Sequence, residues 1–186
     1  MARSHFEYLS PETLSEAIEI LKKYGNDARV MAGGTDLLLG LKRGTIKAKV
    51  VVGLKRIKGL SRISFHKEKG LIIGATALLA DVAKHKDIRK YYPSVASAAL
   101  GTANVQVRNM GTVIGNLCNA SPSADNAPML LVLNGSLNIA RSEGERQLPL
   151  NTFFKGTAIT ALSSNPSFIP PHISSSSEKG VPILIS

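Results

Sequence analysis

The sequence predicts an α+β fold, built as one domain or as two small lobes that share a core. The chain has 186 residues, of which 44% are hydrophobic and 19% charged, a composition typical of a folded globular protein. Helical and strand-like patterns are interleaved along it without a regular βαβ alternation. Only 5% of the residues are aromatic and none is Trp, so we expect a mostly aliphatic core.

The first helix is predicted close to the start of the chain. Ser10 followed by Pro11 fits a cap and a first helical residue. Thr13 with Glu16 fits a capping box instead, so two starts about one turn apart remain open. Apolar residues then recur at helical spacing and form one stripe that ends before Gly25, namely Leu14, Ala17, Ile18 and Leu21.

Shorter elements are predicted after this helix. A strand at 28–32 enters the pair Gly33-Gly34, after which Leu37 begins a helix, and Val50 begins a further strand. Gly70 lies between strand patterns at 63–65 and 71–74, which indicates a hairpin. The remaining patterns predict strands at 136–140 and 147–150 around a turn at 141–146, and helices at 81–85, 93–100 and 129–133.

Two stretches have little apolar periodicity. Residues 101–128 are rich in Gly, Asn, Ser and Pro and predict a long loop, which in a compact domain is usually functional or disordered. Residues 163–186 include eight Ser and four Pro, and this composition does not supply a periodic apolar face. We expect this tail to be poorly ordered, and it resembles out-of-frame translation more than an evolved segment.

Several classes of protein are disfavoured by composition. The one cysteine, Cys118, allows no internal disulfide and cannot hold an iron–sulfur cluster alone. The four His residues are scattered without ligand spacing, so we expect no metal site. No signal peptide or membrane-length apolar run is present, which favours a cytoplasmic protein.

Positive charge is concentrated in one segment. The chain has a formal net charge of +10, and residues 42–69 hold ten Lys or Arg and one acid, Glu68. Such a segment is a solvated face, or it attracts nucleic acid, an anionic cofactor or an acidic protein. Phe65 is the one aromatic residue there, which argues against single-stranded nucleic acid.

Two glycine-containing turns are the candidate sites. The first follows a strand and precedes a helix, the arrangement in which backbone N–H groups and a helix start bind a phosphate. Thr35 or Asp36 would cap that helix. The turn comprises Ala32, Gly33, Gly34, Thr35, Asp36 and Leu37. The second could surround a polar ligand and comprises Gly111, Thr112, Val113, Ile114, Gly115, Asn116 and, further on, Asp125. The alternative is that both are ordinary structural turns. Neither contains the Rossmann glycine fingerprint.

Four motifs in order resemble the FAD-binding (medium) subunits of the molybdenum hydroxylases, the carbon monoxide dehydrogenase and xanthine dehydrogenase family. They are the opening at 6–17, the first turn at 32–38, the second turn with its extension at 107–125, and the pair of segments at 147–150 and 153–156. The resemblance covers about residues 5–162. It implies a PCMH-type FAD-binding fold, with a small N-terminal α/β lobe at 1–58, a larger α+β lobe at 59–162, and FAD in the cleft between them.

The resemblance also implies a role for each turn. Residues 33–37 would surround the pyrophosphate, 112–116 would add cofactor contacts, and Asp125 would hold a polar flavin or ribityl group; Leu162 is a weaker candidate. Electrons would pass from the [2Fe-2S] clusters of a small subunit, reduced by a large molybdopterin subunit, through FAD to NAD or a quinone. The flavin would carry the redox chemistry, so we expect no catalytic side chain here.

Two departures from the family pattern stand out. Ile114 occupies a position that is usually Gly, which we expect to alter how closely the backbone approaches the flavin. The family's C-terminal domain is missing, and the tail at 163–186 stands in its place. A remnant or interaction module that binds no flavin is therefore the alternative, and a basic nucleic-acid-binding protein is a third.

Overall fold

A computed structural model describes residues 5–162 and 169–175, and its first part is a three-stranded parallel sheet in the order β1-β3-β2. Helix α1 packs on this sheet, and helix α2 follows the second strand. The elements are β1 (Glu7–Leu9), α1 (Leu14–Tyr24), β2 (Ala28–Met31), α2 (Leu37–Arg43) and β3 (Val50–Gly53). This is the small N-terminal α/β unit that the family resemblance implies.

Helix α1 begins at the later of the two predicted starts. The Thr13 hydroxyl oxygen accepts a hydrogen bond from the Glu16 N–H at 3.2 Å, and Thr13 has the extended backbone of a cap. The predicted stripe faces inward, with Ala17, Ile18 and Leu21 buried. Burial of this stripe, rather than helix propensity alone, therefore holds α1 on the sheet.

The second part is built on a five-stranded antiparallel sheet in the order β4-β5-β10-β6-β7. Its helices occupy the long connection between β5 and β6, and a small hairpin follows β7. The elements are β4 (Ile63–His66), β5 (Gly70–Gly74), α3 (Leu79–Lys84), α4 (Lys86–Tyr91), α5 (Pro93–Gly101), α6 (Val105–Arg108), α7 (Val113–Asn119), α8 (Asn126–Val132), β6 (Gly135–Arg141), β7 (Gly144–Pro149), β8 (Phe154–Gly156), β9 (Ile159–Thr160) and β10 (Ile169–Ser175).

Each sheet has its own aliphatic core. The smaller core joins α1 and β3 to Leu54, Ile57 and Leu60, and it also contains Ala140 and Ile169 from the second sheet. The larger core joins β5, β6 and the helices between them, with Phe153 as a fully buried aromatic residue. The two parts therefore share apolar contacts.

The prediction of one long loop at 101–128 is wrong. This stretch contains α6, α7 and the start of α8, which have four to seven residues and are too short to show an apolar period. Side-chain caps set the starts of α6 and α7: the Asn104 amide oxygen accepts from the Val107 N–H, and the Thr112 hydroxyl accepts from the Gly115 N–H, both at 2.9 Å. The predicted turn at 141–146 is also too long, because β6 and β7 pair as far as Arg141 and Gly144.

Residues 169–175 of the predicted Ser/Pro-rich tail adopt a regular conformation. They form β10, which lies between β5 and β6 and pairs with both. Pairing on two sides stabilises a strand whose own composition is unfavourable. Pro170 and Pro171 lack a backbone N–H, and they lie where the register shifts between Ile169 and His172, the kind of irregularity that tolerates proline. Residues 163–168 and 176–186 lie outside the described part of the chain.

Candidate functional site

The two glycine turns touch each other in the structure, although Gly33 and Gly111 are 78 residues apart in the sequence. A Cβ built on Gly33 would lie 2.8 Å from the Cα of Gly111 and 2.9 Å from the carbonyl carbon of Met110, and closer still to the Met110 carbonyl oxygen. Distances below 3.0 Å from backbone atoms leave no space for a side chain. Gly33 therefore allows the two turns to meet.

The first turn has the backbone shape that the sequence predicts. Gly34 has φ +78, in the left-handed region that favours glycine. The turn continues into α2, where the Leu38 N–H donates to the Gly34 carbonyl at 3.0 Å. Thr35 also approaches the second turn, because its hydroxyl oxygen lies 3.8 Å from a Cβ built on Gly111.

The predicted side-chain cap of α2 is wrong. Asp36 occupies the cap position with a helical backbone and makes no capping hydrogen bond; its carboxylate instead faces the Thr35 hydroxyl at 3.4 Å. The helical backbone of Asp36 prevents the extended geometry that a capping side chain needs. The first amides of α2 thus have no side-chain cap, which suits an anionic group placed against them.

The second turn is bonded to the start of α3. The Leu79 N–H donates to the Gly111 carbonyl at 3.0 Å, and Leu78 forms an isolated bridge with Thr112. The side chains of Thr112, Val113 and Ile114 are buried. None of these three residues is more than 3% exposed, so this part of the turn packs into the domain.

Ile114 does not project its side chain into a solvent-exposed turn. It is 3% exposed and belongs to the larger core. The added side chain therefore fills the interior of the domain. The expected change in how closely the backbone approaches the flavin stays a prediction. The Gly115 N–H is already used by the Thr112 cap.

A residue that sequence did not single out, Asn126, bonds to Asn116 and directly follows Asp125. The buried Asn126 amide nitrogen donates to the Asn116 amide oxygen at 3.2 Å and to the Thr102 hydroxyl at 3.0 Å. Asp125 precedes Asn126 directly and is exposed. A buried Asn beside a predicted contact is a signal that sequence alone does not distinguish from an ordinary turn residue.

Cys118 and the basic segment take part in none of the contacts just described. Cys118 is partly buried against the larger core, and this burial raises the pKa of its thiol to about 12. All ten cations of residues 42–69 are exposed; Lys49 pairs with Asp27 at 2.6 Å and Arg56 pairs with Glu12. The Asp27 hydrogen bond, helped by charge attraction, raises the pKa of Lys49.

A shallow depression of about 620 Å³ lies beside α1, lined by Leu9, Pro11, Glu16 and Ile20 among others, and it does not include either glycine turn. Within residues 5–162 and 169–175, no three His, Cys, Asp or Glu side chains gather as a metal site would require. No helix in that same part of the chain is long and apolar enough to cross a membrane.

The chain matches a known protein family over most of its length. Residues 4–169 match the FAD-binding domain in molybdopterin dehydrogenase. The chain belongs to that family. The cofactor of that family is FAD.

Relatives in sequence and in structure agree with the family. The chain is 32% identical to the nicotinate dehydrogenase FAD-subunit of Eubacterium barkeri, covering 81% of the chain and 51% of that protein. It is 30% identical to the carbon monoxide dehydrogenase medium chain of Hydrogenophaga pseudoflava, covering 89% and 57%.

The solved structures show the same fold. A carbon monoxide dehydrogenase of Hydrogenophaga pseudoflava superimposes with a TM-score of 0.89 at 28% identity, covering 95% of this chain and 60% of that chain. Quinoline 2-oxidoreductase of Pseudomonas putida 86 gives 0.88 at 27%, with the same coverage. The predicted PCMH-type α+β fold is thereby confirmed, and the chain spans little more than half the length of these relatives.

Proposed function

We propose that this chain is an FAD-binding electron-transfer subunit of a molybdenum hydroxylase. The observation that carries the proposal is the contact of Gly33 with Met110 and Gly111, because it unites two turns that are otherwise unremarkable. When bound, FAD supplies the redox chemistry. The chain binds the cofactor, orients it and shields it from water.

The proposed contacts follow the two turns. The backbone of residues 33–37 would surround the pyrophosphate, since a left-handed Gly34 and a helix start without a side-chain cap suit an anion. The backbone of 111–115 and the side chain of Asn116 would add contacts from the neighbouring turn. The exposed Asp125 carboxylate would accept hydrogen bonds from a flavin or ribityl group.

The proposed partners are other subunits of the same enzyme. Relatives of this chain are called an FAD-subunit and a medium chain, names that imply further chains in those enzymes. We propose a small [2Fe-2S] subunit and a large molybdopterin subunit as partners, with NAD or a quinone as acceptor and the cytoplasm as location. The division into lobes at 1–58 and 59–162 remains part of this proposal.

A second candidate is a remnant or interaction module that binds no flavin. The chain covers only 51% and 57% of the two relatives described above, so retention of FAD by this part of such proteins needs its own test. The two candidates differ in one measurable property, the retention of FAD.

The first experiment is an absorption spectrum of the purified chain, before and after adding FAD. Bound oxidised flavin gives bands at about 370 and 450 nm, and FAD released on denaturation identifies it. A folded chain that takes up no FAD at high added concentration would favour the second candidate.

The variant Asp125→Ala tests the proposed carboxylate contact. Loss of a charged hydrogen-bond acceptor is expected to weaken FAD binding roughly 10- to 100-fold. Glu145→Ala, which removes an exposed carboxylate on β7, is the control and should bind FAD like the parent chain. Equal affinity of the two variants would remove Asp125 from the site.

A further inference from the structure

A short chain of hydrogen bonds runs through the helices of the second part and ends at Asn116. The Thr102 hydroxyl donates to the Ala98 carbonyl at 2.8 Å. Its oxygen accepts from the Asn126 amide nitrogen at 3.0 Å, and that nitrogen also donates to the Asn116 amide oxygen at 3.2 Å. The chain of bonds thus links α5, α8 and α7.

The direction of each bond is fixed by chemistry. A hydroxyl has one hydrogen, and Thr102 gives it to Ala98, so towards Asn126 it can only accept. The Asn126 amide must therefore present its nitrogen, whose two hydrogens account for both observed bonds. Reversing this amide would set an oxygen against the Thr102 oxygen with no hydrogen between them.

Burial holds Asn126 in that orientation. The residue is 2% exposed, and its amide oxygen has no hydrogen-bond partner among the residues that the structure describes. Its neighbours are helix residues, and it is the first residue of α8. A buried amide with two satisfied donors is a rigid support for the half-buried Asn116.

We infer that Asn126 is a positioning residue that sets which end of the Asn116 amide faces the cofactor. This inference rests on the proposed function, in which Asn116 contacts FAD. Because Asn126 occupies the oxygen of Asn116, the amide nitrogen of Asn116 is left to face the ligand. Asn116 then selects a hydrogen-bond acceptor, such as a phosphate oxygen, a flavin carbonyl or a ring nitrogen.

The test compares Asn126→Asp with Asn126→Leu in FAD titrations. A carboxylate attracts the Asn116 amide nitrogen, so that the oxygen of Asn116 faces the cofactor, whereas leucine leaves this amide free to turn. We expect Asn126→Asp to weaken FAD binding roughly tenfold or more, and Asn126→Leu to weaken it less. The control is Asn119→Ala, which changes an exposed amide on α7, the helix that holds Asn116. It should bind FAD like the parent chain.

A double-mutant cycle separates positioning from plain stability. In an Asn116→Ala background, Asn126→Asp should cause no further loss of FAD affinity, although it should still lower Tm. The variant Asn116→Asp keeps the acceptor for Asn126 and replaces the donor that faces the cofactor. It should therefore bind FAD roughly tenfold more weakly than the parent chain. This test remains available if the Asn126 variants fold poorly.

The outcomes distinguish this inference from the proposed function. If the parent chain binds no FAD, both fail. If it binds FAD but Asn126→Asp binds equally well, or loses as much affinity in the Asn116→Ala background, the positioning role is overturned and the proposed function stands. Full affinity in Asn116→Asp would also overturn it.

Discussion

Adding one methyl group at Gly33 should force the two glycine turns apart. The Cβ of alanine would lie 2.8 Å from the Gly111 Cα and 2.9 Å from the Met110 carbonyl carbon. A relaxed carbon–carbon contact is roughly 3.5 Å, so the segments would have to separate by about 0.7 Å. Both neighbours are backbone atoms, which cannot turn aside as a flexible side chain would.

The cost follows from overpacking. Inserting a methyl group into a closely packed position typically costs about 1–3 kcal/mol. For a chain of this size each kcal/mol lowers Tm by about 2–4 °C, so Gly33→Ala should lower it by roughly 2–12 °C. FAD binding should weaken as well, because the proposed site depends on the same contact.

Thermal unfolding followed by circular dichroism, paired with an FAD titration, measures both effects. Gly101→Ala is the matched control, since a Cβ there meets nothing within 4 Å and Gly101 is the last residue of α5. It should leave Tm unchanged or slightly raised. If Gly33→Ala and Gly101→Ala have the same Tm and FAD affinity, the reasoning about the turn contact is refuted.

Three further substitutions or treatments test other features. Thr112→Ala removes the cap of α7 and should cost about 1 kcal/mol of unfolding free energy in a denaturant titration, whereas Thr112→Ser should restore it; no loss would contradict the cap. Ile169→Ala removes a fully buried side chain of β10 and should lower the free energy of unfolding by about 2–5 kcal/mol. Ile159→Ala, at a site 53% exposed, should lower it far less. Equal losses in the two variants would argue against a packed β10. Burial raises the pKa of the Cys118 thiol from 9.0 to about 12, so native protein at pH 8 should resist iodoacetamide, as mass spectrometry would show. Because the folded state keeps this proton, stability should fall as pH rises from 9 towards 12; rapid labelling of native protein would contradict the burial.

The elements that sequence predicted well are those with a strong local signal. Helix α1 has an apolar stripe and a cap, and both are found at Thr13 and around Leu21. The hairpin at Gly70 follows from turn chemistry, and that glycine has φ +75. The helices between 101 and 128 were missed because four to seven residues give less than two turns over which a period can be read.

Tertiary information explains the rest. Strand β10 is stabilised by pairing with β5 and β6, and its own composition does not predict that pairing. Likewise, the sequence suggested that Gly33 lets a phosphate approach the backbone. In the structure, the absence of a side chain at Gly33 lets Met110 and Gly111 lie against it. The sequence also gave no reason to choose Asn126, since its value depends on Thr102 and Asn116 lying beside it.

The position of β10 has a consequence for the order of folding during synthesis. This central strand emerges from the ribosome roughly 100 residues after β5, the strand with which it pairs through His172 and Gly74. Until then, β5 and β6 each expose an unpaired backbone edge, which is a hazard for association between nascent chains. Completion of the sheet must therefore await nearly all of the described chain, and chaperones that cover strand edges should matter most during that interval.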